Sequence, residues 1–233
     1  MPTPAAPPQA AGDDEAATRA ALAWAHTARF LTTASTLAEL PPTELPEIAF
    51  VGRSNAGKST AINALTQNKR LAFASKTPGR TQHINLFELG PKLAADAYFA
   101  DLPGYGYAAV ERNAKLRWQE VMAEYLAVRR SLSAIVVLVD ARLGFTPIDR
   151  QLLAFIQPRL ANGSVKLLAL LTKVDKLNRR DTDAALRAAG DVLGGAATEA
   201  SELSLAPFSA TSRVGVGDAA RVLHAWAHGA GSP

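Results

Sequence analysis

From residue 47 onward, short apolar runs alternate along the chain with segments whose apolar positions recur at helical spacing. Several runs are almost continuously apolar, which is typical of strands covered on both faces. The runs lie at 48–52, 84–89, 96–101, 133–140, 165–173 and 201–210. The helical segments lie at 58–66, 111–130, 147–161, 181–193 and 217–228. This alternation predicts an α/β fold with a mostly parallel six-stranded sheet, flanked by about five helices.

One pair of runs breaks the alternation. The runs 84–89 and 96–101 are separated only by a short connection around Gly90 and Pro91. A parallel pair needs a crossover of a dozen or more residues, so the short link favours an antiparallel hairpin. We therefore expect one antiparallel strand at an edge of the sheet.

The two ends of the chain differ in composition from the rest. Residues 1–22 are rich in Pro and Ala and show no strand pattern, so we expect a disordered tail there. Residues 23–46 are predicted to form a short helix or strand and a Pro-rich segment that leads into the sheet. The prediction is a single domain over residues 23–228, followed by a flexible end at 229–233.

The sequence GRSNAGKS fits the phosphate-binding pattern G-x-x-x-x-G-K-[ST]. It follows a predicted strand and opens a predicted helix, so backbone N–H groups and the helix dipole together form an anion site. Lys58 would reach the β- and γ-phosphates of a nucleotide, and the Ser59 hydroxyl would bind Mg²⁺. The motif therefore predicts a P-loop NTPase fold. Its candidate nucleotide-binding residues are Gly52, Arg53, Ser54, Asn55, Ala56, Gly57, Lys58 and Ser59.

A second motif, DLPG, ends the strand predicted at 96–101. An acid that ends a buried strand can hold Mg²⁺ through a water molecule, and this is the role we predict for Asp101. Gly104 would bring its backbone N–H to the γ-phosphate, where a side chain would clash. By itself D-x-x-G also fits an ordinary turn, and its place after the phosphate loop is what favours a nucleotide site. The candidate residues of the motif are Asp101, Leu102, Pro103 and Gly104.

Two later strand ends carry residues that suit a guanine base. In the motif TKVD, the carboxylate of Asp175 can accept hydrogen bonds from guanine N1–H and the 2-amino group, whereas adenine would leave it unpaired. Lys173 would pack its stem on the ring. The alternative is that Asp175 caps a following helix. The turn that ends the last strand can offer backbone N–H groups to guanine O6. The candidate base-site residues are Thr172, Lys173, Val174, Asp175, Phe208, Ser209 and Ala210.

A basic segment, residues 74–87, lies between the phosphate loop and DLPG. The dipeptide Pro78–Gly79 marks a flexible loop that can bring a threonine hydroxyl to Mg²⁺ and the γ-phosphate. From the residues alone, either Thr77 or Thr81 can fill that role.

Taken together, GRSNAGKS, TPGRTQHIN, DLPGYGYA and the T-K-x-D form resemble the bacterial EngB family, also called YihA or YsxC, of the TrmE-Era-EngA-YihA-Septin-like GTPases. The resemblance covers roughly residues 25–228, with Thr172 where the motif more commonly has Asn. It implies the small G-protein type of this fold, GTP or GDP as the ligand, and Mg²⁺ bound by Ser59 and Thr81, with Asp101 acting through water. It also implies nucleotide contacts from Gly79, Arg80, Thr81, Gln82 and His83, and catalytic roles for Lys58, Thr81 and Gly104.

The resemblance further implies a cellular role. Members of the family are implicated in assembly of the large ribosomal subunit and described as needed for normal cell division and septation. The implied partners are therefore the rRNA and ribosomal proteins of a large-subunit precursor. One alternative is a GTPase that acts in division through a protein partner, with no direct ribosome role. Another is an ATPase with the same fold, which Asp175 disfavours.

The residue after D-x-x-G is Tyr105, at a position where many GTPases have a Gln that orients the attacking water. A phenol is a poor substitute for an amide, so we predict slow intrinsic GTP hydrolysis. An arginine from a partner or a monovalent cation would then supply the missing charge. Asn55 resembles the Asn that binds K⁺ in several GTPases, which predicts stimulation by K⁺.

Two segments are predicted to respond to hydrolysis, because the γ-phosphate and Mg²⁺ would hold one residue in each. These are residues 74–83 and 104–117, and their basic character favours a face for rRNA. Tyr105 and Tyr107 would stack on exposed bases. A solvated mobile surface is the alternative. The basic residues concerned are Lys76, Arg80, Arg112, Lys115 and Arg117.

The overall composition sets further limits. The chain has 233 residues, of which 48% are hydrophobic, enough for the core of one α/β domain. The lack of cysteine excludes disulfides and cysteine-ligated zinc. No apolar run reaches the ~18 residues of a membrane span, and the N-terminus lacks the pattern of a signal peptide. The net charge of +4 permits an RNA partner. We expect a cytoplasmic protein and, since no heptad run is present, a monomer.

Overall fold

The computed structural model describes residues 9–72, 83–106 and 112–229; within its helices, the side chains of residues 9–13 and 112–119 lie outside that description. The described strands are β1 (Arg29–Ala34), β2 (Glu47–Gly52), β3 (Ile84–Leu89), β4 (Ala97–Asp101), β5 (Leu132–Asp140), β6 (Lys166–Thr172) and β7 (Leu203–Phe208). The described α-helices are α1 (Gln9–Ala25), α2 (Lys58–Leu65), α3 (Arg112–Val128), α4 (Pro147–Ala161), α5 (Arg179–Gly194) and α6 (Val216–His228). Short 3₁₀ turns lie at Leu37–Glu39 and Val174–Lys176.

The strands form one sheet in the order β1-β3-β4-β2-β5-β6-β7. Strand β2 pairs in parallel with β4 and β5, and the parallel arrangement continues through β6 to β7. Strand β3 is antiparallel to both of its neighbours, β1 and β4. The α/β fold, the mostly parallel sheet and the β3–β4 hairpin are confirmed.

The strand count and the edge differ from the prediction. The described residues contain seven strands rather than six, because Arg29–Ala34 forms β1 and pairs with β3. The antiparallel strand β3 is therefore second from the edge rather than at it. β1 lacks a buried face over most of its length: Phe30 and Leu31 are largely exposed. The prediction of a short helix or strand within residues 23–46 is confirmed by β1, but its half-polar sequence did not indicate that it joins the sheet.

The prediction of a disordered tail over residues 1–22 is wrong for the part that the structure describes. Residues 9–25 form helix α1, which packs along α6. Ala21, Trp24 and Ala25 lie at helical spacing and are buried against the sheet and α6. The ring of Trp24 packs edge-on against Phe99, with a centroid distance of 5.7 Å. The chain is rich in Ala here, a strong helix former, but the surface that the helix buries against comes from the sheet and from α6, at the other end of the chain.

Side chains alternate between two cores, one on each face of the sheet. Ile48 and Phe50 of β2 face a core closed by α1, α2 and α6, whereas Ala49 and Val51 face a core closed by α3, α4 and α5. No helix in the described part of the chain is long and apolar enough to cross a membrane. Because β2, β4, β5, β6 and β7 run in parallel, their carboxyl ends meet at one edge of the sheet, and the loops there carry the predicted motifs.

Candidate functional site

The phosphate loop connects β2 directly to α2. Gly52 ends the strand, and a Cβ built on it would lie 2.9 Å from the carbonyl oxygen of Leu138, so only glycine fits. Asn55 and Gly57 have φ angles of 63° and 97°, which curl the loop back on itself. Gly57 caps α2 without a side-chain hydrogen bond, so the first N–H groups of the helix are left for a ligand. The loop has the shape of an anion cradle.

Lys58 and Asp101 meet at the centre of this cradle. Both side chains are buried, and the ammonium of Lys58 contacts Oδ1 of Asp101. The second carboxylate oxygen, Oδ2, has no hydrogen-bond partner among the described residues. Ser59 lies in the first turn of α2, next to Lys58 in the chain. A free carboxylate oxygen and a hydroxyl are the hard oxygen ligands that suit Mg²⁺, so these residues fit that ion.

The segment after Asp101 runs alongside the phosphate loop. The N–H of Tyr105 donates to the carbonyl of Gly52 (3.2 Å), and the N–H of Ser54 donates to the carbonyl of Tyr105 (2.9 Å). A Cβ on Gly104 would lie 3.3 Å from the nitrogen of Ser54, so this close approach favours glycine. The backbone of the D-x-x-G segment is thus fixed to the loop by two hydrogen bonds.

Tyr105 itself is buried, which makes the expectation that it stacks on exposed bases wrong. Only 2% of the residue is exposed, and its hydroxyl donates to Oδ1 of Asp149 over 2.8 Å. Burial and the adjacent Asp149 carboxylate raise the pKa of Tyr105 well above its ordinary value, so the phenol stays neutral. Asp149 also accepts from the N–H of Thr146 (2.8 Å) at the start of α4. The Tyr105 side chain thus joins the D-x-x-G segment to α4.

The T-K-x-D motif holds the phosphate loop from the side of β6. The hydroxyl of Thr172 donates to the carbonyl of Ala56 over 2.6 Å, and the ammonium of Lys173 donates to the carbonyl of Asn55 over 2.7 Å. Lys173 has a φ of 61°, a left-handed conformation that is uncommon for a residue with a side chain. Threonine in place of the more common Asn therefore still reaches the loop.

Asp175 lies beside the last strand end. The hydroxyl of Ser209 donates to Oδ1 of Asp175 over 2.7 Å, and this hydrogen bond is the main reason that the pKa of Asp175 is lowered. Asp175 does not cap a helix, because it lies inside the turn Val174–Lys176 and Asn178 caps α5. Its carboxylate is ionised and oriented.

Four of the predicted nucleotide contacts have side chains in other surroundings. The side chain of Phe208 is 1% exposed and belongs to the core beneath α6, so only its backbone borders the site. His83 is exposed, and its Nδ1 lies 2.9 Å from the hydroxyl of Ser35, after β1. Leu102 and Val174 are buried core residues, which leaves their backbone as the part near the site.

Several predictions fall outside the described residues. They are Lys76, Thr77, Gly79, Arg80, Thr81, Gln82, Tyr107 and the side chains of Arg112, Lys115 and Arg117. The choice between Thr77 and Thr81 and the basic face therefore remain predictions.

Three charged residues beside the loop were not among the predicted site residues. Asp140 ends β5 and accepts from Lys173 (2.9 Å) and Arg142, while Asp149 binds Tyr105. A pocket of about 200 Å³, between the phosphate loop, the end of β5 and the start of α4, is lined by these residues among others. The signal for Asp140 was present, since it ends an apolar run in the same way as Asp101.

Comparison with known proteins agrees with this geometry. A family model described as a 50S ribosome-binding GTPase matches residues 47–173. A probable GTP-binding protein EngB of Acidovorax ebreus is 57% identical over 207 residues, which cover 89% of this chain and 91% of that protein. A probable EngB of Albidiferax ferrireducens is also 57% identical, over 208 residues that cover 89% of this chain and 97% of the relative.

Solved structures support the fold. The crystal structure of a probable EngB superposes with a TM-score of 0.56 at 20% identity, covering 77% of this chain and 98% of that one. Era in complex with MgGDPNP and a segment of 16S ribosomal RNA gives a TM-score of 0.60 at 20% identity, covering 82% of this chain and 59% of Era. The sequence relatives and the family model together show that the chain belongs to the EngB family of GTP-binding proteins, within the GTPases.

Proposed function

We propose that the protein binds GTP and GDP, hydrolyses GTP slowly and acts as a nucleotide-dependent switch in assembly of the large ribosomal subunit. The observation that carries the nucleotide assignment is the oriented carboxylate of Asp175 at the same sheet edge as the phosphate loop. The carboxylate matches the two adjacent donors of guanine and would be left unpaired by adenine.

The phosphates would lie in the cradle of residues 52–59. Lys58, which contacts Asp101 in this structure, would turn to the β- and γ-phosphates, and the N–H of Gly104 would face the γ-phosphate. Thr172 and Lys173 would hold the loop beneath the nucleotide, with the stem of Lys173 on the base. The backbone N–H of Ser209 donates to the carbonyl of Val214 over 2.9 Å, so the N–H of Ala210 is the one that would face guanine O6.

The proposed Mg²⁺ ligands are the Ser59 hydroxyl, the Thr81 hydroxyl and, through water, the free oxygen of Asp101. When bound, the ion would neutralise charge on the phosphates. Nucleotide contacts from Gly79, Arg80, Gln82 and His83 are proposed on the family resemblance.

Slow hydrolysis is supported by the position of Tyr105. Its hydroxyl is engaged by Asp149 inside the protein, so the side chain after D-x-x-G presents no polar group to an attacking water. An arginine from a partner or a bound K⁺ would supply the missing charge, and Asn55, an exposed residue of the phosphate loop, is the proposed ligand of that ion. Single-turnover GTP hydrolysis in matched KCl and NaCl tests this, with faster turnover expected in K⁺; equal rates would remove the role of K⁺.

The ribosomal role rests on family membership and on the description of the matching family model. The proposed partner is a large-subunit precursor with its rRNA and ribosomal proteins, and normal cell division and septation would depend on that step. Action in division through a protein partner alone is the competing function.

Co-sedimentation with purified ribosomal subunits decides between the two. We expect binding to large subunits with a non-hydrolysable GTP analogue, weaker binding with GDP, and loss of binding in Lys58→Ala. Asp218→Asn, which removes one exposed charge on α6, serves as the control and should bind normally. Absence of binding in both nucleotide states, with nucleotide affinity intact, would favour the protein partner.

A further inference from the structure

Asp140 is a buried acid that none of the recognised motifs contains. It ends β5, is 8% exposed and stands opposite Thr172 in the parallel register of β5 and β6. The N–H of Ala141 donates to the carbonyl of Thr172 over 2.9 Å, so the ends of the two strands are joined at this point. Asp140 is thereby fixed next to the T-K-x-D motif.

Arg142 orients the carboxylate of Asp140. Its backbone N–H and Nε donate to Oδ1 over 3.1 and 2.9 Å, and Nη2 donates to Oδ2 over 2.7 Å. The ammonium of Lys173 donates to the same Oδ2 over 2.9 Å. Burial alone would raise the pKa of Asp140, but the hydrogen bonds from Arg142 and Lys173 outweigh it and hold the pKa well below its ordinary value. The carboxylate is ionised and faces Lys173 as a fixed negative charge.

The ammonium of Lys173 donates to two partners. One is Asp140 and the other is the carbonyl of Asn55 in the phosphate loop. Lys173 and Asn55 both have left-handed backbones, with φ angles of 61° and 63°. Such conformations carry strain and persist where the surroundings determine them, often at functional sites. The bridge from Asp140 through Lys173 to Asn55 links the base site to the phosphate loop.

We propose that Asp140 is a positioning residue for the nucleotide, which acts through Lys173 and is itself oriented by Arg142. This inference rests on the proposed guanine-nucleotide site. Because Asp140 holds its ammonium, the aliphatic stem of Lys173 stays aligned to pack on the base. Its ammonium also stays in position to donate to the carbonyl of Asn55 in the phosphate loop. Loss of the carboxylate frees the long side chain, and ordering it again on binding has an entropic cost.

The competing explanation is that Asp140 only stabilises the turn after β5. Its backbone carbonyl accepts from the N–H groups of Leu143 (2.9 Å) and Gly144 (3.0 Å), as a turn requires. A turn role predicts a loss of thermal stability that does not depend on Lys173. A positioning role predicts a change in nucleotide release that disappears once Lys173 can no longer bind Asp140.

The test measures release of a fluorescent GDP derivative from the full chain by stopped flow, together with the melting temperature of each variant. Asp140→Asn removes the charge and keeps the shape, and we expect release about tenfold faster, with Lys173→Met giving a similar increase. The double variant should release GDP no faster than Lys173→Met alone. Arg142→Ala, at a half-exposed position that tolerates truncation, should accelerate release about threefold.

Asp218→Asn is the matched control and should release GDP at the wild-type rate. Two results would overturn the inference, provided that the wild type binds GDP. One is a wild-type release rate in Asp140→Asn. The other is that Asp140→Asn accelerates release as much in the Lys173→Met background as in the wild type. If the wild type itself does not bind GDP, the proposed function fails first. Should Asp140→Asn not fold, an unchanged release rate in Arg142→Ala overturns the proposal.

Discussion

Buried charges lie at both ends of the parallel strands, and they are satisfied differently. At the amino end, Glu47 is fully buried; it accepts from the hydroxyl of Tyr125 over 2.6 Å and from Nε of Arg129 over 3.0 Å. Arg129 also donates to the carbonyl of Pro41 over 2.8 Å. At the carboxyl end, Asp101 is equally buried, but one of its oxygens has no partner among the described residues.

Backbone conformation also differs between the two ends of the parallel strands. Glu47 lies in strand β2 at a shift in its register with β5, whereas the loops at the carboxyl end hold Asn55 and Lys173 in left-handed conformations. Complete hydrogen bonding of a buried charge stabilises the fold, while an unpaired oxygen and local backbone strain can be relieved by a bound ligand. The comparison therefore predicts that changes at the amino end reduce stability and that changes at the carboxyl end reduce nucleotide binding.

The largest expected effect is that of Glu47→Ala on stability. The change leaves the charge of Arg129 and the hydroxyl of Tyr125 without their partner in the protein interior. The free energy of unfolding should fall by about 3–5 kcal/mol, measured by urea denaturation. GDP affinity of the folded fraction should be unchanged.

Glu88→Ala is the matched control for that change. The pair of Glu88 with Arg29 is partly exposed, at 3.0 Å, so its loss should cost less than about 1 kcal/mol. Equal losses in the two variants would contradict the view that the amino-end network is a main source of stability.

Asp175→Ala is expected to reduce nucleotide binding and to leave stability almost unchanged. Two charge-assisted hydrogen bonds to guanine are lost, so GDP affinity should fall by about 100-fold in calorimetry. The preference for GDP over ADP should disappear in a competition assay. The melting temperature should hardly change because the carboxylate is near the surface, and a retained preference for GDP would place base recognition elsewhere.

The sequence predicted the local parts of this site well. The strand, glycine loop and helix around Gly52–Ser59 follow from neighbouring residues, and helix α4 spans Pro147–Ala161 as the periodicity indicated, with Thr146 and Asp149 forming a capping box. Parallel strand ends then bring Asp101 and Asp175 to the same edge. These features depend on local signals and one rule of topology.

Features that depend on distant partners were missed. Helix α1 is stabilised by α6, which lies at the other end of the chain, so its sequence alone resembled a tail. The inward direction of Tyr105 depends on Asp149, and the role of Asp140 depends on Lys173. Single-sequence patterns carry no record of such pairings.

A smaller effect is expected from Tyr105→Phe, which changes a buried and fully hydrogen-bonded side chain at the carboxyl end. Asp149 is 1% exposed and would lose a donor, so the free energy of unfolding should fall by about 1–2 kcal/mol. Because the pKa of Tyr105 is raised in the fold above its unfolded value of about 10, its contribution is complete below pH 10 and is lost as pH rises further. Single-turnover GTP hydrolysis should keep its wild-type rate, and a large decrease would show that the phenol reaches the reaction.

The smallest expected effect is that of Ser209→Ala, which keeps Asp175 and removes its hydrogen-bond donor. The carboxylate then rotates more freely, so GDP affinity should fall by about fivefold in calorimetry. Ser209 acts through Asp175 in this interpretation, and the change should therefore have no further effect in the Asp175→Ala background. Additive losses in the double variant would mean that Ser209 contacts the nucleotide independently, and the strand end after β7 would then belong to the base site in its own right.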